Sequence, residues 1–177
     1  MIRWINDVLI DGRKVGGFLA ESFTGAVSRE EYCLLGFGIN LNNAAFPEEL
    51  SATAVALGDH LGRTIDLDEF TCCFLAKLCW NIGLLYHHEA VALHDEPVHE
   101  QGVDHPLIRR WRELSDSIGK EERYGFDVML HPQYQARVID ITGDGGLRLI
   151  LDNGEEVVEH SGEIRYVDTG SMCVCPR

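Results

Sequence analysis

A chain of 177 residues, 45% hydrophobic, 25% charged and 8% aromatic, has room for one packed core, or for a domain of about 120 residues with a smaller one behind it. Its formal net charge of −14 argues against a sequence-independent grip on nucleic acid, which needs clustered Lys and Arg. No apolar run reaches the roughly 18 residues of a membrane span, and Met1-Ile2-Arg3-Trp4 lacks the basic-then-apolar order of a secretory signal.

The opening reads as β-structure. "WINDVLI" leads to Asp11-Gly12, a strong hairpin signal, and "KVGGFLAES" leaves it. Polar residues this dense at a turn can simply be solvated, but paired glycines straight after Lys14 also let a ligand approach bare backbone. A third strand, "EYCLLGFGINLN", carries Gly36 and Gly38, which mark bulges or close backbone approach.

Helical signals follow. Ser51 is placed to cap a short helix over "ATAVALGDHLG", ended by Gly62. Asp66 or Asp68 then caps a long helix from about Leu67 to His94. There Phe70, Phe74, Leu78, Ile82, Leu85 and Val91 form one apolar stripe. A third helix, about His105–Ser115, carries Leu107, Ile108, Trp111 and Leu114.

After Gly119 the period changes to that of strands. "FDVMLH", "QARVIDI", "LRLILD", "EEVVEH" and "IRYVD" are separated by "PQ", "GDGG", "NG" and "SG". Five short strands with tight turns in about 50 residues predict a small antiparallel barrel. The fold class is therefore α+β, with an α+β domain over residues 1–118 and a β-barrel over 119–177.

Six cysteines (Cys33, Cys72, Cys73, Cys79, Cys173 and Cys175) form no CxxC pair. Cys72, Cys73 and Cys79 fall in the helical pattern, where buried free thiols are expected. Cys173-Val174-Cys175 reads as a frayed tail, with metal binding or oxidation as the alternative. A disulfide scaffold is not expected, which favours a reducing, cytoplasmic setting. His87, His88, His94, His99 and His105 read as solvated histidines near the helix ends. A metal site is the competing reading, since His87 and His94 share a helix face, but no HExxH pattern is present.

The order of these pieces resembles the biotin protein ligases, including the holocarboxylase synthetases. That family's "KWPND" motif is matched by Arg3-Trp4-Ile5-Asn6-Asp7, with Arg3 for its lysine and Ile5 for its proline. The following "R-K-hydrophobic-x-G-hydrophobic-hydrophobic-x-E" strand is matched by Arg13-Lys14-Val15-Gly16-Gly17-Phe18-Leu19-Ala20-Glu21, and "G-x-G-I-N" by Gly36-Phe37-Gly38-Ile39-Asn40. Further matches are Phe46-Pro47, Leu50 and Ala54-Val55-Ala56-Leu57, then Trp111 and the closing Ser161-Gly162-Glu163-Ile164.

The resemblance implies part of a class II synthetase-like mixed sheet with helices, followed by an SH3-like barrel. It implies ATP-dependent attachment of biotin to a lysine of a carboxylase's biotin carboxyl carrier domain, through biotinyl-adenylate. Lys14 takes the place of the catalytic, biotin-contacting lysine, where a fixed cation stabilises charge on the carboxylate and α-phosphate oxygens. Asn6, Asp7 and Asn40 are the implied ATP and adenylate contacts. Gly16, Gly17, Leu19, Gly36 and Gly38 border biotin, and Mg²⁺ accompanies ATP. No protein metal ligand is assigned, and Trp4 and Trp111 are read as packing residues.

The family's adenylate loop, "G-R-G-R-x-G-R", has no counterpart here. Only Gly12-Arg13 and Gly62-Arg63 supply a "GR". The helix-turn-helix of the family's repressor members has none either. The expectation is an incomplete ligase: a truncated reading, a half that pairs with a missing N-terminal polypeptide or a homodimer partner, or a degenerate relative. A sheet cut midway would expose an edge strand and an uncovered apolar face. A non-catalytic binding or accessory module is the alternative, and a lipoate ligase would share the catalytic fold.

Overall fold

Asp11 and Gly12 turn the first hairpin. Ile10 of Asp7–Ile10 (β2) pairs directly with Arg13 of Arg13–Thr24 (β3), leaving a two-residue loop with φ of 49° and 76°. Both values lie in the left-handed region, which this tight turn demands and which Asp and Gly tolerate. The structure, a computed structural model, describes residues 1–43, 45–94 and 105–166. The chain divides into two compact units: Met1 with Asn6–Leu107, and Ile2–Ile5 with the chain from Ile108 on. A two-residue strand, Ile2–Arg3 (β1), therefore falls in the second unit.

In the first unit β3 pairs antiparallel with Glu31–Ile39 (β4) in unbroken register, from Gly16↔Ile39 to Thr24↔Glu31. Gly36 and Gly38 thus cause no bulge; the register shift lies in β2, between Val8 and Leu9. Among the described residues β4 pairs with β3 alone, so its outer edge is open. Tyr32 and Leu34 on one of its faces, and Leu35 and Phe37 on the other, are each 42% or more exposed.

The helix expected from Ser51 starts later. Ser51 closes a 3₁₀ turn at Glu48–Leu50 instead, its N–H and hydroxyl both donating to Glu48 O. Lys14 N–H then donates to Thr53 O at 2.7 Å and Val55 N–H to Lys14 O at 3.0 Å. That parallel pairing occupies backbone groups a helix would need, so Leu57–Leu61 (α1) begins only after extended Ala56. Gly62 ends it at φ 64°.

Leu67–His94 (α2) has the expected bounds, and Glu69 N–H donates to the Asp66 carboxylate at 2.9 Å. Phe70, Phe74, Leu78 and Ile82 are half-buried, with Phe74 lying 4.6 Å from Phe37 and 6.4 Å from Phe18 between ring centroids. Leu85 and Val91 do not join that stripe and are exposed, as are Leu75, Trp80 and Tyr86. Cys72, Cys73 and Cys79 are also exposed, contrary to the expected buried thiols, because they lie off the covered row. Cys173 and Cys175 lie outside the described residues.

Pro106–Leu114 (α3) spans the boundary between the units. The second unit's sheet contains Glu121–Gly125 (β5), Tyr134–Ile141 (β6), Leu147–Leu151 (β7), Glu156–Glu159 (β8) and Glu163–Tyr166 (β9). Their order is β8-β7-β6-β5-β9, all antiparallel. Trp4, Tyr124, Ala136, Val138, Ile141, Leu147, Leu149 and Ile164 form the core, each at most 2% exposed.

Two expectations are corrected here. Among the described residues the hydrogen-bond ladder does not close into a barrel, since β8 and β9 do not pair. The first strand is "EERYG" rather than "FDVMLH", whose Phe126, Met129 and Leu130 are 64–74% exposed. Apolar alternation missed β5 because Glu122, an acid, takes one of its buried positions.

Side chains draw the open sheet round. From β8, Glu159 accepts hydrogen bonds from Tyr134 Oη at 2.5 Å and Tyr124 Oη at 2.8 Å. Burial first, then the Glu159 carboxylate, push the Tyr124 hydroxyl up to about 12 and raise Tyr134 as well. Glu159→Ala removes the acceptor of the Tyr134 hydroxyl, leaves Tyr124 with Ser161 O at 2.7 Å, and is expected to cost about 1–3 kcal/mol. A lower urea midpoint, followed by tyrosine near-UV dichroism, checks this.

Candidate functional site

The β3–β4 register assembles the site. Gly17 lies opposite Asp7 on one side and Gly38 on the other, and Leu19 lies opposite Gly36. Side chains alternate across a strand, so Gly17, Leu19, Gly36 and Gly38 share one face of the sheet. The Gly17↔Gly38 pair, with Gly36 next to it opposite Leu19, leaves a strip of that face without side chains. Leu19, 58% exposed, and Leu34, 57% exposed, stand beside it.

Lys14 and Asp7 border this strip. Lys14 Nζ lies 2.5 Å from Asp7 Oδ1, with the lysine side chain 49% exposed and the aspartate 18%. A Cβ added at Gly17 would sit 3.4 Å from Lys14 Cε, so the lysine stem runs over that glycine. Asp7 neutralises the cation's near side while its other half stays open to solvent, an arrangement suited to an anionic ligand.

The asparagines play different parts. Asn6 Nδ2 donates to Phe18 O at 2.5 Å, and Phe18 N–H returns a bond to Asn6 O at 3.1 Å, which fastens the motif to β3. Asn40 follows β4 in the alternation of Gly36 and Gly38. Its backbone joins Val15 and Leu57, while its side-chain amide hydrogen-bonds to no described residue. Gly16 points to the opposite face, where a Cβ would come within 2.7 Å of Gly38 O. Its glycine therefore serves the approach of the two strands.

Lys14, Asp7, Gly17, Leu19, Gly36 and Gly38 are thus brought together. Leu34 was missed, although its place two residues before Gly36 puts it on the same face. A separate open cavity of about 230 Å³, lined by Arg13, Phe46, Ser51, Asp59 and His60, was not anticipated either.

Among the described residues no three His, Cys, Asp or Glu side chains gather to hold a metal ion. His88 meets His105 edge-on with ring centroids 4.6 Å apart. His99 and the side chain of His94 lie outside the described residues. Trp4 and Trp111 both pack on the second unit's core.

Comparison with solved structures identifies the fold. Biotin protein ligase from Aquifex aeolicus has the same fold: its apo structure superposes with TM-score 0.68 at 20% identity, covering 94% of this chain and 65% of that one. A second structure of the Aquifex enzyme gives 0.70, and one in complex with biotin and ATP gives 0.65.

In sequence the chain is similar to the bifunctional ligase/repressor BirA of Bacillus spizizenii and of Bacillus subtilis, at 39% identity over 67 residues in each. That match spans 37% of this chain and 20% of each relative. No family model matches. The chain accordingly resembles part of a biotin protein ligase and spans less than two thirds of the length of the relatives it matches.

Proposed function

We propose that this chain supplies one wall of a biotin- and ATP-binding site for the biotinylation of a carrier-domain lysine. The observation that carries this reading is the half-exposed Lys14 ammonium, held by Asp7 beside the facing Gly17 and Gly38. Similarity to ligase relatives, one of them solved with biotin and ATP, supports the ligand class.

Each residue then has a role its chemistry can perform. Lys14 stabilises the charge that builds on the carboxylate and α-phosphate oxygens as biotin's carboxylate attacks ATP and pyrophosphate leaves. Biotin lies along Gly17, Gly36 and Gly38 with Leu19 as its apolar wall, while Gly16 allows the strands to close up behind. Asn40 offers an unengaged amide to the adenylate, and Asp7 with Asn6 holds the nucleotide end. Mg²⁺ would neutralise phosphate charge and take its oxygens from ATP and Asp7. The carrier lysine then attacks the mixed anhydride and displaces AMP.

A non-catalytic binding module is the second reading, favoured by the missing arginine loop and the open β4 edge. Calorimetric titration with a non-hydrolysable biotinyl-adenylate analogue decides whether a pocket exists. Pyrophosphate release stimulated by biotin but not by lipoate then separates ligase from module. A folded chain that binds no analogue would overturn the ligand-site reading.

A further inference from the structure

The two faces of the β3–β4 sheet differ in cover. Phe18 and Phe37 lie opposite each other and meet Phe74 of α2 on one face. On the other, a Cβ added at Gly38 would meet nothing within 4 Å, and one at Gly36 only Leu19, at 3.9 Å or more. Rows of paired residues cross this open face. Gly17 with Gly38 lies under Lys14, Leu19 with Gly36 comes next, then Glu21 with Leu34. Phe23 and Tyr32, stacked with ring centroids 5.4 Å apart, end the series.

Glu21 is out of keeping with its surroundings. It is exposed, flanked by Leu19 and Phe23 along β3 and by Leu34 across, and its carboxylate bonds to no described residue. An acid in apolar company keeps its hydration only while the face stays open. A ligand that covers the face must offer it a donor or leave a charge unpaired. At the opposite end, the Lys14 ammonium suits an anion. Gly17 and Glu21 are four residues of extended chain apart, about 13 Å. This order of groups fits a ligand with an acid at one end, a slim apolar middle and an N–H donor at the other.

We propose that Glu21 is a specificity-determining residue that accepts a ureido N–H of biotin and so disfavours acids whose far end carries no donor. The inference rests on the ligand-site reading above. With its carboxylate at Lys14, biotin runs its chain over the glycines and its fused rings past Leu19 and Leu34 toward Glu21. Lipoate has a comparable acid chain but ends in a dithiolane ring, which has no N–H. Covering Glu21 with that ring strands the carboxylate. A site that hydrogen-bonds its substrate rejects an analogue lacking the donor far more strongly than an apolar pocket does.

Calorimetry with a non-hydrolysable biotinyl-adenylate analogue and its lipoyl counterpart, on wild type, Glu21→Ala and Glu21→Gln, tests this. Glu21→Ala is expected to weaken the biotinyl analogue by about tenfold, the loss of one charged hydrogen bond, without weakening the lipoyl one. Glu21→Gln keeps an acceptor oxygen and should retain part of the selectivity. If Glu21→Ala weakens both ligands alike, the residue is only structural and the proposal is overturned. Equal binding of the biotinyl analogue by wild type and Glu21→Ala also overturns it, with the ligand site itself upheld. Wild type that binds neither analogue overturns the ligand-site reading and this inference together.

Discussion

Lys14→Ala is expected to weaken binding of a biotinyl-adenylate analogue by about 10- to 100-fold, the range set by loss of one charged hydrogen bond. Removing the ammonium also strips Asp7 of its cation, leaving a carboxylate on a face meant for an anion. The lysine is half exposed and not among the buried residues, so the thermal midpoint should move little. Lys14→Arg keeps the charge but changes the donor geometry, and is expected to recover only part of the affinity. Calorimetry on the three proteins is the measurement. Equal affinity of wild type and Lys14→Ala would remove the lysine from the site.

Trp4→Ala should give the largest loss of stability. Trp4 is 2% exposed within the eight-residue core of the second unit, and its N–H is satisfied by Gly145 O. Truncating a buried aromatic of this size costs about 3–5 kcal/mol, a large fraction of a domain's total stability. Trp4→Phe is the milder companion, keeping most of the apolar area and leaving the Gly145 carbonyl without its donor. Urea midpoints should therefore fall in the order wild type, Trp4→Phe, Trp4→Ala. Tolerance of the alanine would mean that the N-terminal segment is not part of that core.

These two expectations come from one short stretch. Within "RWIND", Trp4 reads as a packing residue and Asn6 and Asp7 as ligand contacts, and the structure assigns Trp4 to one unit and the other two to the next. Nothing in the local pattern announces that division. It follows from where apolar area can be buried, since Trp4 finds Leu149, Ile141 and their neighbours.

Much was legible because its causes are local. The Asp11-Gly12 turn, the Asp66 cap, the bounds of α2 and four of the five strands after Gly119 follow from φ preferences, side-chain capping and alternation within a few residues. The glycine pattern around Lys14 was visible too. The pairing Gly17↔Gly38 and Leu19↔Gly36, which turns that pattern into a surface, is a matter of register.

Tertiary structure decided the rest. Ser51 failed as a helix cap because Lys14, far upstream, drew Thr53 and Val55 into pairing with β3. Leu85 and Val91 fit the helical period yet stay exposed, because period says which residues align and not what lies opposite. Among the described residues the barrel does not close, because closure depends on two edges meeting, although Glu159 bridges to both tyrosines. By itself the sequence determined turns, caps and the order of elements, where competing conformers differ within a few neighbouring residues. Only the folded chain could decide that an acid occupies a core position, since what surrounds Glu122 includes Arg3 from the other end of the chain.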